Sequence, residues 1–268
     1  MEANLRPRLI TAIIGIPLLI FVVGWGHPWL FAAVFFLICL IALGEYFAMV
    51  FPDRMREQLL GVAFGSALSL LFIIPDVSAA EVGFGLWVVM CSSFYVFMTG
   101  RLEDKLARLA WTLLGGIYLG YLLPHWVLLF RLPQGRGWVF LVLAVIMVGD
   151  TTAYFVGQFF GKKKLAPEIS PGKTLEGALG YVAGSVLTGC IGASVWMEHL
   201  SWPEAVVLSA VLSIFGQIGD LFESWIKRVF AVKDSSSLLP GHGGLLDRLD
   251  SLIFPAVFTT AYVRVFHS

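Results

Sequence analysis

The sequence predicts an all-α polytopic membrane protein with about nine transmembrane helices. Hydrophobic residues make up 58% of the 268-residue chain and charged residues 13%, about half the charged share of typical soluble domains. Apolar stretches long enough to cross a bilayer, about 20 residues each, recur along the whole chain. No polar segment between them is long enough to build a soluble core, so we expect one integral membrane unit.

The predicted spans divide into two groups along the chain. The first five occupy residues 1–135, and the last four, with the polar loops, occupy residues 136–268. In order, the spans lie at roughly 9–25, 29–51, 58–75, 80–99, 107–130, 138–160, 175–197, 204–230 and 252–267. The sixth and eighth carry acids in their interior, and the ninth is short.

Basic residues predict the orientation of these helices. Alternate loops, beginning with the N-terminus, hold 15 of the 18 Lys and Arg residues, and positive charge marks the cytoplasmic side of a membrane protein. We therefore expect the N-terminus inside and the C-terminus outside, with both polar loops, 161–177 and 233–251, facing the cytoplasm. The formal net charge is zero, so composition gives no reason to expect nucleic acid as a partner.

A polar stripe interrupts the eighth span, SIFGQIGDLFESWIKRVF. Its members recur at helical spacing and are Gln217, Asp220, Ser224 and Lys227, with Glu223 beside them. Acids inside a span are costly and usually face a cavity or a partner. An ion pair between Asp220 and Lys227 is the simplest structural explanation. A single pair, however, does not require two acids, an amide and a serine on one stripe.

The segment HGGLLDRLDS leads into the ninth span and supplies a second polar group. Asp247 and Asp250 are three residues apart and share one face of a helix. Gly243 and Gly244 permit close approach of backbone N–H groups to an anion. Oxygen ligands without a Cys or His cluster suit Mg²⁺. His242 is expected to make a structural hydrogen bond that shapes the turn.

The loop 161–177 contains four lysines, Lys162, Lys163, Lys164 and Lys173. Its GKT triplet, residues 172–174, resembles the end of a P-loop, but Pro167 stands where the first glycine belongs and no strand is predicted before it. A P-loop NTPase is therefore rejected. The lysines suit either anionic lipid at the membrane face or a triphosphate, and the sequence leaves both interpretations open.

Two further acids lie inside predicted spans. Asp150, in the sixth span, is expected to line the same cavity, as a ligand or by orienting a lysine. Glu45, near the inner end of the second span, is expected to make a structural polar contact. Acids, basic residues and glycine turns thus converge at the cytoplasmic membrane surface. This combination suits Mg²⁺-dependent phosphoryl or nucleotidyl transfer onto a lipid.

Residues 224–250, SWIKRVFAVKDSSSLLPGHGGLLDRLD, resemble the signature of the phosphatidate cytidylyltransferase (CDP-diacylglycerol synthase) family. The matching positions are Ser224, Lys227, Arg228, Lys233, Asp234, Ser236, His242, Gly243, Gly244, Asp247, Arg248 and Asp250. KLAPEISPGKTLEG and GDLFES are also similar to the family, and the resemblance is strongest over roughly residues 145–255.

The resemblance implies transfer of CMP from CTP to phosphatidate, giving CDP-diacylglycerol and pyrophosphate. It also implies Mg²⁺, with room for a second cation, and a homodimer in the bacterial inner (cytoplasmic) membrane. The metal ligands it implies are Asp220 and Asp247, supported by Ser224, Glu223 and Asp250, with Asp150 as a further candidate. The catalytic residues it implies are Asp220, Asp247, Lys227 and Arg248. The substrate-binding residues it implies are Lys173, Arg228, Lys233, His242, Gly243 and Gly244.

Other functions compete with this interpretation. A cation transporter would also place acids inside the membrane, although no internal repeat is visible and the polar residues gather at one face. A prenol-type lipid kinase would use similar groups, and only the signature argues against it. The chain has no D-G-x-x-A-R run, which argues against a CDP-alcohol phosphotransferase.

Overall fold

The computed structural model describes Gly15 and residues 17–73, 77–238 and 243–267. Most of these residues are helical, and a helical stretch at 17–24 precedes the first labelled helix. The elements are α1 Pro28–Val50, α2 Met55–Ile73, α3 Val77–Phe97, α4 Leu102–Gly115, a π-helix Gly116–Leu122, α5 His125–Arg131, α6 Gly135–Phe160, β1 Lys164–Ala166, β2 Ser170–Thr174, α7 Leu175–Val195, α8 Trp202–Val229 and α9 Leu246–Phe266.

Six helical runs among the described residues are long and apolar enough to cross a bilayer. They are α1, the run from α4 to α5, α6, α7, α8 and α9, and they match the second and the fifth to ninth predicted spans. This confirms a helical, multi-pass membrane protein. The third and fourth predicted spans are also helices, α2 and α3, but fall outside this set. The first lies mostly outside the described residues, so the total of about nine and the orientation stay predictions.

The loop 161–177 contains an antiparallel β-hairpin, in which Lys164 pairs with Thr174 and Ala166 with Ser170. The prediction that no strand precedes the GKT triplet was therefore wrong. Strands of three and five residues are too short to show alternation of polar and apolar side chains. Pro167 still stands in the position of the missing glycine, so the rejection of a P-loop is unchanged.

The described residues form two compact units. The first comprises the described residues of 1–128 and 234–247, and the second those of 129–233 and 248–268. In the first, α2 packs against α1, α3 and the π-helix; in the second, α7 packs against both α6 and α8. The polar segment that follows α8 therefore contributes to both units, because residues 234–247 belong to the first and most of α9 to the second.

Side-chain hydrogen bonds to the backbone or between helices hold the first unit together. The Trp87 indole N–H donates to the Phe64 carbonyl at 2.7 Å and joins α3 to α2. Arg108 of α4 pairs with Glu57 of α2 at 3.0 Å. The Trp87 indole N–H and the Glu57 carboxylate thereby find partners inside an apolar unit, as burial requires.

Candidate functional site

A cavity of about 530 Å³ lies in the second unit, between the hairpin and helices α6, α7 and α8. Its polar lining residues are Asp150, Tyr154, Gln158, Ser170, Lys173, Thr174, Tyr181, Gln217 and Asp220. This volume falls within the range of small-molecule sites in proteins, about 300–1,000 Å³. The cavity brings together three residues that the sequence singled out separately, one each from α6, the hairpin and α8: Asp150, Lys173 and Asp220.

Lys173 and Asp220 form an ion pair in the wall of this cavity. Lys173 Nζ lies 2.6 Å from Asp220 Oδ2, and the two side chains are 26% and 29% exposed. The Ser224 hydroxyl donates to Asp220 Oδ1 at 3.4 Å. The predicted phosphate-binding lysine thus contacts the predicted metal ligand, and both remain partly accessible.

Lys227 has a different partner from the one considered above. It forms an ion pair with Glu223, one turn earlier on α8, and the two side chains are 9% and 1% exposed. The charged residues of the stripe on α8 therefore take part in two different ion pairs. Asp220 faces the cavity and Lys173, whereas Glu223 and Lys227 neutralise each other in a buried setting.

Two further acids lie close to these charges. Ser251 donates through its hydroxyl to Asp150 Oδ2 at 3.3 Å and through its backbone N–H to Asp250 Oδ1 at 2.7 Å. Asp150 lines the cavity together with Asp220, and Ser251 joins Asp250 to Asp150. The second unit therefore brings several carboxylates close together.

The hairpin is fixed at both ends. Thr174 caps α7 by accepting the Gly177 N–H at 3.1 Å, and Glu176 accepts the backbone N–H groups of Lys162 and Lys163. Arg228 donates through Nε to the Ile169 carbonyl at 3.0 Å. These contacts hold Lys173 beside Asp220.

The resemblance assigns Arg228 to substrate phosphates. In the structure, its guanidinium donates hydrogen bonds to two backbone carbonyls. Besides Ile169, it donates through Nη1 to the Val232 carbonyl at 3.2 Å. Lys233, which the resemblance also assigns to substrate binding, is exposed. Arg248, which it assigns to catalysis, is exposed as well.

Asp247 belongs to the first unit and accepts hydrogen bonds from nearby residues of the same polar segment. Its Oδ2 atom accepts three hydrogen bonds, from the Ser235 N–H and hydroxyl, both at 2.9 Å, and from the Gly244 N–H at 2.8 Å. Gly243 has a φ of 78°, a conformation that favours glycine. From the sequence we predict that these glycines bring backbone N–H groups close to a phosphate. In the structure, the Gly244 N–H donates to the carboxylate of Asp247.

Glu45 is a second carboxylate that accepts hydrogen bonds from this segment. It accepts the Leu245 and Leu246 N–H groups at 2.9 and 2.7 Å, at the N-terminus of α9. The Ser236 hydroxyl donates to it at 2.6 Å. The expected structural polar contact of Glu45 is therefore confirmed. His242 lies outside the described residues.

A profile of the cytidylyltransferase family matches residues 6–266 of the chain. The chain belongs to this family. Among its relatives, the phosphatidate cytidylyltransferase of Bacillus subtilis (strain 168) is 30% identical, with 98% of this chain and 99% of the relative covered. The phosphatidate cytidylyltransferases of Synechocystis sp. and of Brucella abortus biovar 1 are 33% and 35% identical, and this chain covers 95% of each. The molecule is thus a nucleotidyltransferase.

The cavity of this cytidylyltransferase contains oxygen atoms of the kind that Mg²⁺ prefers. Asp150 and Asp220 line it, and the hydroxyls of Ser251 and Ser224 donate to them. Across residues 17–73, 77–238 and 243–267, no group of three His, Cys, Asp or Glu side chains is arranged to hold a metal by itself. Mg²⁺ is commonly bound by one or two carboxylates together with substrate phosphates and waters, so such a cage is not required.

The pairing of Asp220 with Asp247 on one cation stays a prediction, because the two residues belong to different units. Sequence reasoning about the cytidylyltransferase also missed several residues of the cavity. Tyr181 of α7 and Tyr154 of α6 line it beside Asp150. Both stand in apolar helices without a motif, and only the packing of α6 against α7 makes their positions visible. Ser251 of α9 contacts Asp150 directly, although the sequence gave it no role.

Proposed function

We propose that this protein transfers CMP from CTP to phosphatidate in a Mg²⁺-dependent reaction that gives CDP-diacylglycerol and pyrophosphate. The observation that carries the proposal is the Lys173–Asp220 pair in the wall of the 530 Å³ cavity. A lysine and a carboxylate that share a cavity can bind phosphate and cation together. The names of the relatives supply the lipid acceptor.

The reaction needs charge neutralisation and alignment more than it needs a strong base. A phosphatidate oxygen forms a bond to the α-phosphorus of CTP, and the bond from that phosphorus to the oxygen shared with the β-phosphorus breaks. The attacking oxygen is largely ionised near pH 7. Lys173 stabilises negative charge on phosphate oxygens, and the fixed hairpin holds it in place.

Mg²⁺, when bound, would offset charge on the phosphates and on the departing pyrophosphate. Asp220 would hold it, with Ser224, Asp250 and Asp150 nearby in the same unit. Asp247 is the further ligand predicted from the sequence. Glu223 is the weakest of the proposed supports, because Lys227 already neutralises it.

We place the protein in the bacterial inner membrane as a homodimer, with the cavity open to the cytoplasm. The relatives are bacterial, and the basic loops predict this orientation. CTP is a soluble triphosphate, so its site has to be reached from the side that contains it.

The test is a reconstitution with purified protein, CTP and phosphatidate, in which pyrophosphate and the lipid product are both measured. We expect one pyrophosphate per CDP-diacylglycerol, and loss of both when Mg²⁺ is chelated. In a parallel assay with a prenol in place of phosphatidate, release of CDP with a phosphorylated prenol would instead indicate a lipid kinase. Cation flux into vesicles without use of CTP would indicate a transporter.

A further inference from the structure

We propose that Glu45 is a positioning residue for this reaction, because it holds residues 235–236 and 245–246, which lie close to Asp247 in the first unit. The inference rests on the proposed function, which places Asp247 in the reactive site. From the sequence, only a structural polar contact is predicted for Glu45. All the contacts that carry the inference lie within the first unit.

Four donor groups surround the carboxylate of Glu45, which is 7% exposed. Oε1 accepts from the Ser236 hydroxyl at 2.6 Å and from the Leu245 N–H at 2.9 Å. Oε2 accepts from the Leu246 N–H at 2.7 Å and lies 3.2 Å from the Ser235 hydroxyl. Hydrogen bonds to a carboxylate are among the stronger ones in proteins, so these contacts hold both Ser235–Ser236 and Leu245–Leu246 beside Glu45.

Ser235 links Glu45 to Asp247. Its hydroxyl lies 3.2 Å from Glu45 Oε2 and 2.9 Å from Asp247 Oδ2, while its backbone N–H donates to Asp247. A hydroxyl has one proton and serves one acceptor at a time. The backbone N–H groups therefore hold the two carboxylates independently, and Ser235 couples their positions.

The segment is shaped to admit this carboxylate. A Cβ atom at Gly244 would lie 2.7 Å from Glu45 Oε2 and would overlap the Ser235 hydroxyl. A side chain at position 244 would therefore push Glu45 out. The second glycine of the HGG motif provides space for Glu45, in addition to any role toward substrate.

Local capping alone does not explain the arrangement. Asp247 lies in the first turn of α9 and reaches back to accept the Gly244 N–H, as the acidic residue of a capping box does, but Gly244 precedes the helix. Glu45 adds a second acceptor from α1, about 200 residues away in sequence. Its effect is to tie the start of α9, and Asp247 with it, to a rigid transmembrane helix.

The test compares Glu45→Gln with Glu57→Gln in full-length purified protein. The amide of glutamine replaces an acceptor by a donor that faces backbone N–H groups. Glu57 is a matched control, because it is a partly buried acid of the same unit that pairs with Arg108 instead. Ser236→Ala is the milder variant, since it removes a single hydrogen bond to Glu45.

Two measurements are made on each variant. Hydrogen exchange of the peptide covering 243–250 reports the hold on Leu245 and Leu246 without any need for activity. We expect about tenfold faster exchange there in Glu45→Gln, a smaller increase in Ser236→Ala, and none in Glu57→Gln. Steady-state rates should show kcat reduced about 10- to 100-fold in Glu45→Gln, with the KM for phosphatidate within about twofold of wild type.

Three results would overturn this role of Glu45. Wild-type exchange at 243–250 in Glu45→Gln would show that the contacts do not hold the segment. Faster exchange with a wild-type kcat would make Glu45 structural only, and an equal loss of kcat in Glu57→Gln would indicate general destabilisation. A wild-type protein that releases no pyrophosphate would instead remove the proposed function, and this role with it, whatever the exchange result.

Discussion

Two lysine–carboxylate pairs of the second unit differ in how far they are exposed. Lys173 and Asp220 are each more than a quarter exposed, whereas Lys227 and Glu223 are 9% and 1% exposed. A partly exposed pair gains little from its mutual attraction and can exchange its partner for a ligand. A buried pair cannot be separated without leaving an uncompensated charge. We therefore assign substrate contact to Lys173 and a structural role to Lys227.

Replacing Lys173 by methionine should reduce kcat/KM for CTP by about 10²- to 10³-fold, since one charged contact to a phosphate is lost. The fold should be unaffected, because Asp220 stays partly solvated. The measurement is CTP-dependent pyrophosphate release in detergent. Lys162→Met is the matched control, because Lys162 is an exposed lysine of the same loop outside the cavity lining. Equal losses in both variants would favour a general attraction to anionic lipid.

Replacing Lys227 by methionine should instead destabilise the protein by about 3–5 kcal/mol, because Glu223 would stay buried without its partner. Thermal unfolding in detergent measures the change. The double variant Lys227→Met with Glu223→Gln should recover much of the lost stability. A stable single variant that has lost only activity would move Lys227 back to the catalytic role that the resemblance gives it.

At the scale of elements, the long helices could be predicted and the short or distant features could not. The stripe on α8 was visible because helical spacing repeats over eleven residues, from Gln217 to Lys227. The hairpin was missed because its strands are too short to show a period. The hold of Glu45 on α9 was missed because its partners lie about 200 residues away, and no local pattern encodes such a contact. A lone acid in an apolar helix was the available signal.

The contact of α8 with α9 depends on Gly219. A Cβ atom at this position would overlap the carbonyl oxygen of Asp250. Alanine is the better helix former by about 1 kcal/mol, but overpacking costs about 1–3 kcal/mol. Gly219→Ala should therefore lower the thermal unfolding temperature. Gly85→Ala, where a Cβ atom meets nothing within 4 Å, should leave it unchanged or raise it. Equal behaviour of the two variants would contradict the close approach.

At the scale of the whole molecule, the length of α7 can be compared with the thickness of the membrane. Its 21 residues extend about 31 Å at 1.5 Å per residue, which matches a hydrocarbon core of about 30 Å. The lysine-rich hairpin precedes its first residue, and the exposed Glu198 follows its last turn. Large apolar side chains along it are exposed, among them Leu179, Leu187, Ile191 and Val195. These are the properties of a helix that crosses the bilayer once.

This crossing makes the predicted orientation testable with two single cysteines, Lys162→Cys and Glu198→Cys, in a background in which Cys39, Cys91 and Cys190 are replaced. Both positions are exposed and lie beyond opposite ends of α7. A membrane-impermeant maleimide should label position 198 in intact spheroplasts, and position 162 only in inverted vesicles. Because a triphosphate does not cross the bilayer, the proposed reaction needs the hairpin on the cytoplasmic side. Labelling of position 162 from outside would reverse the orientation and separate the cavity from cytoplasmic CTP, and labelling of both from one side would show that α7 does not cross.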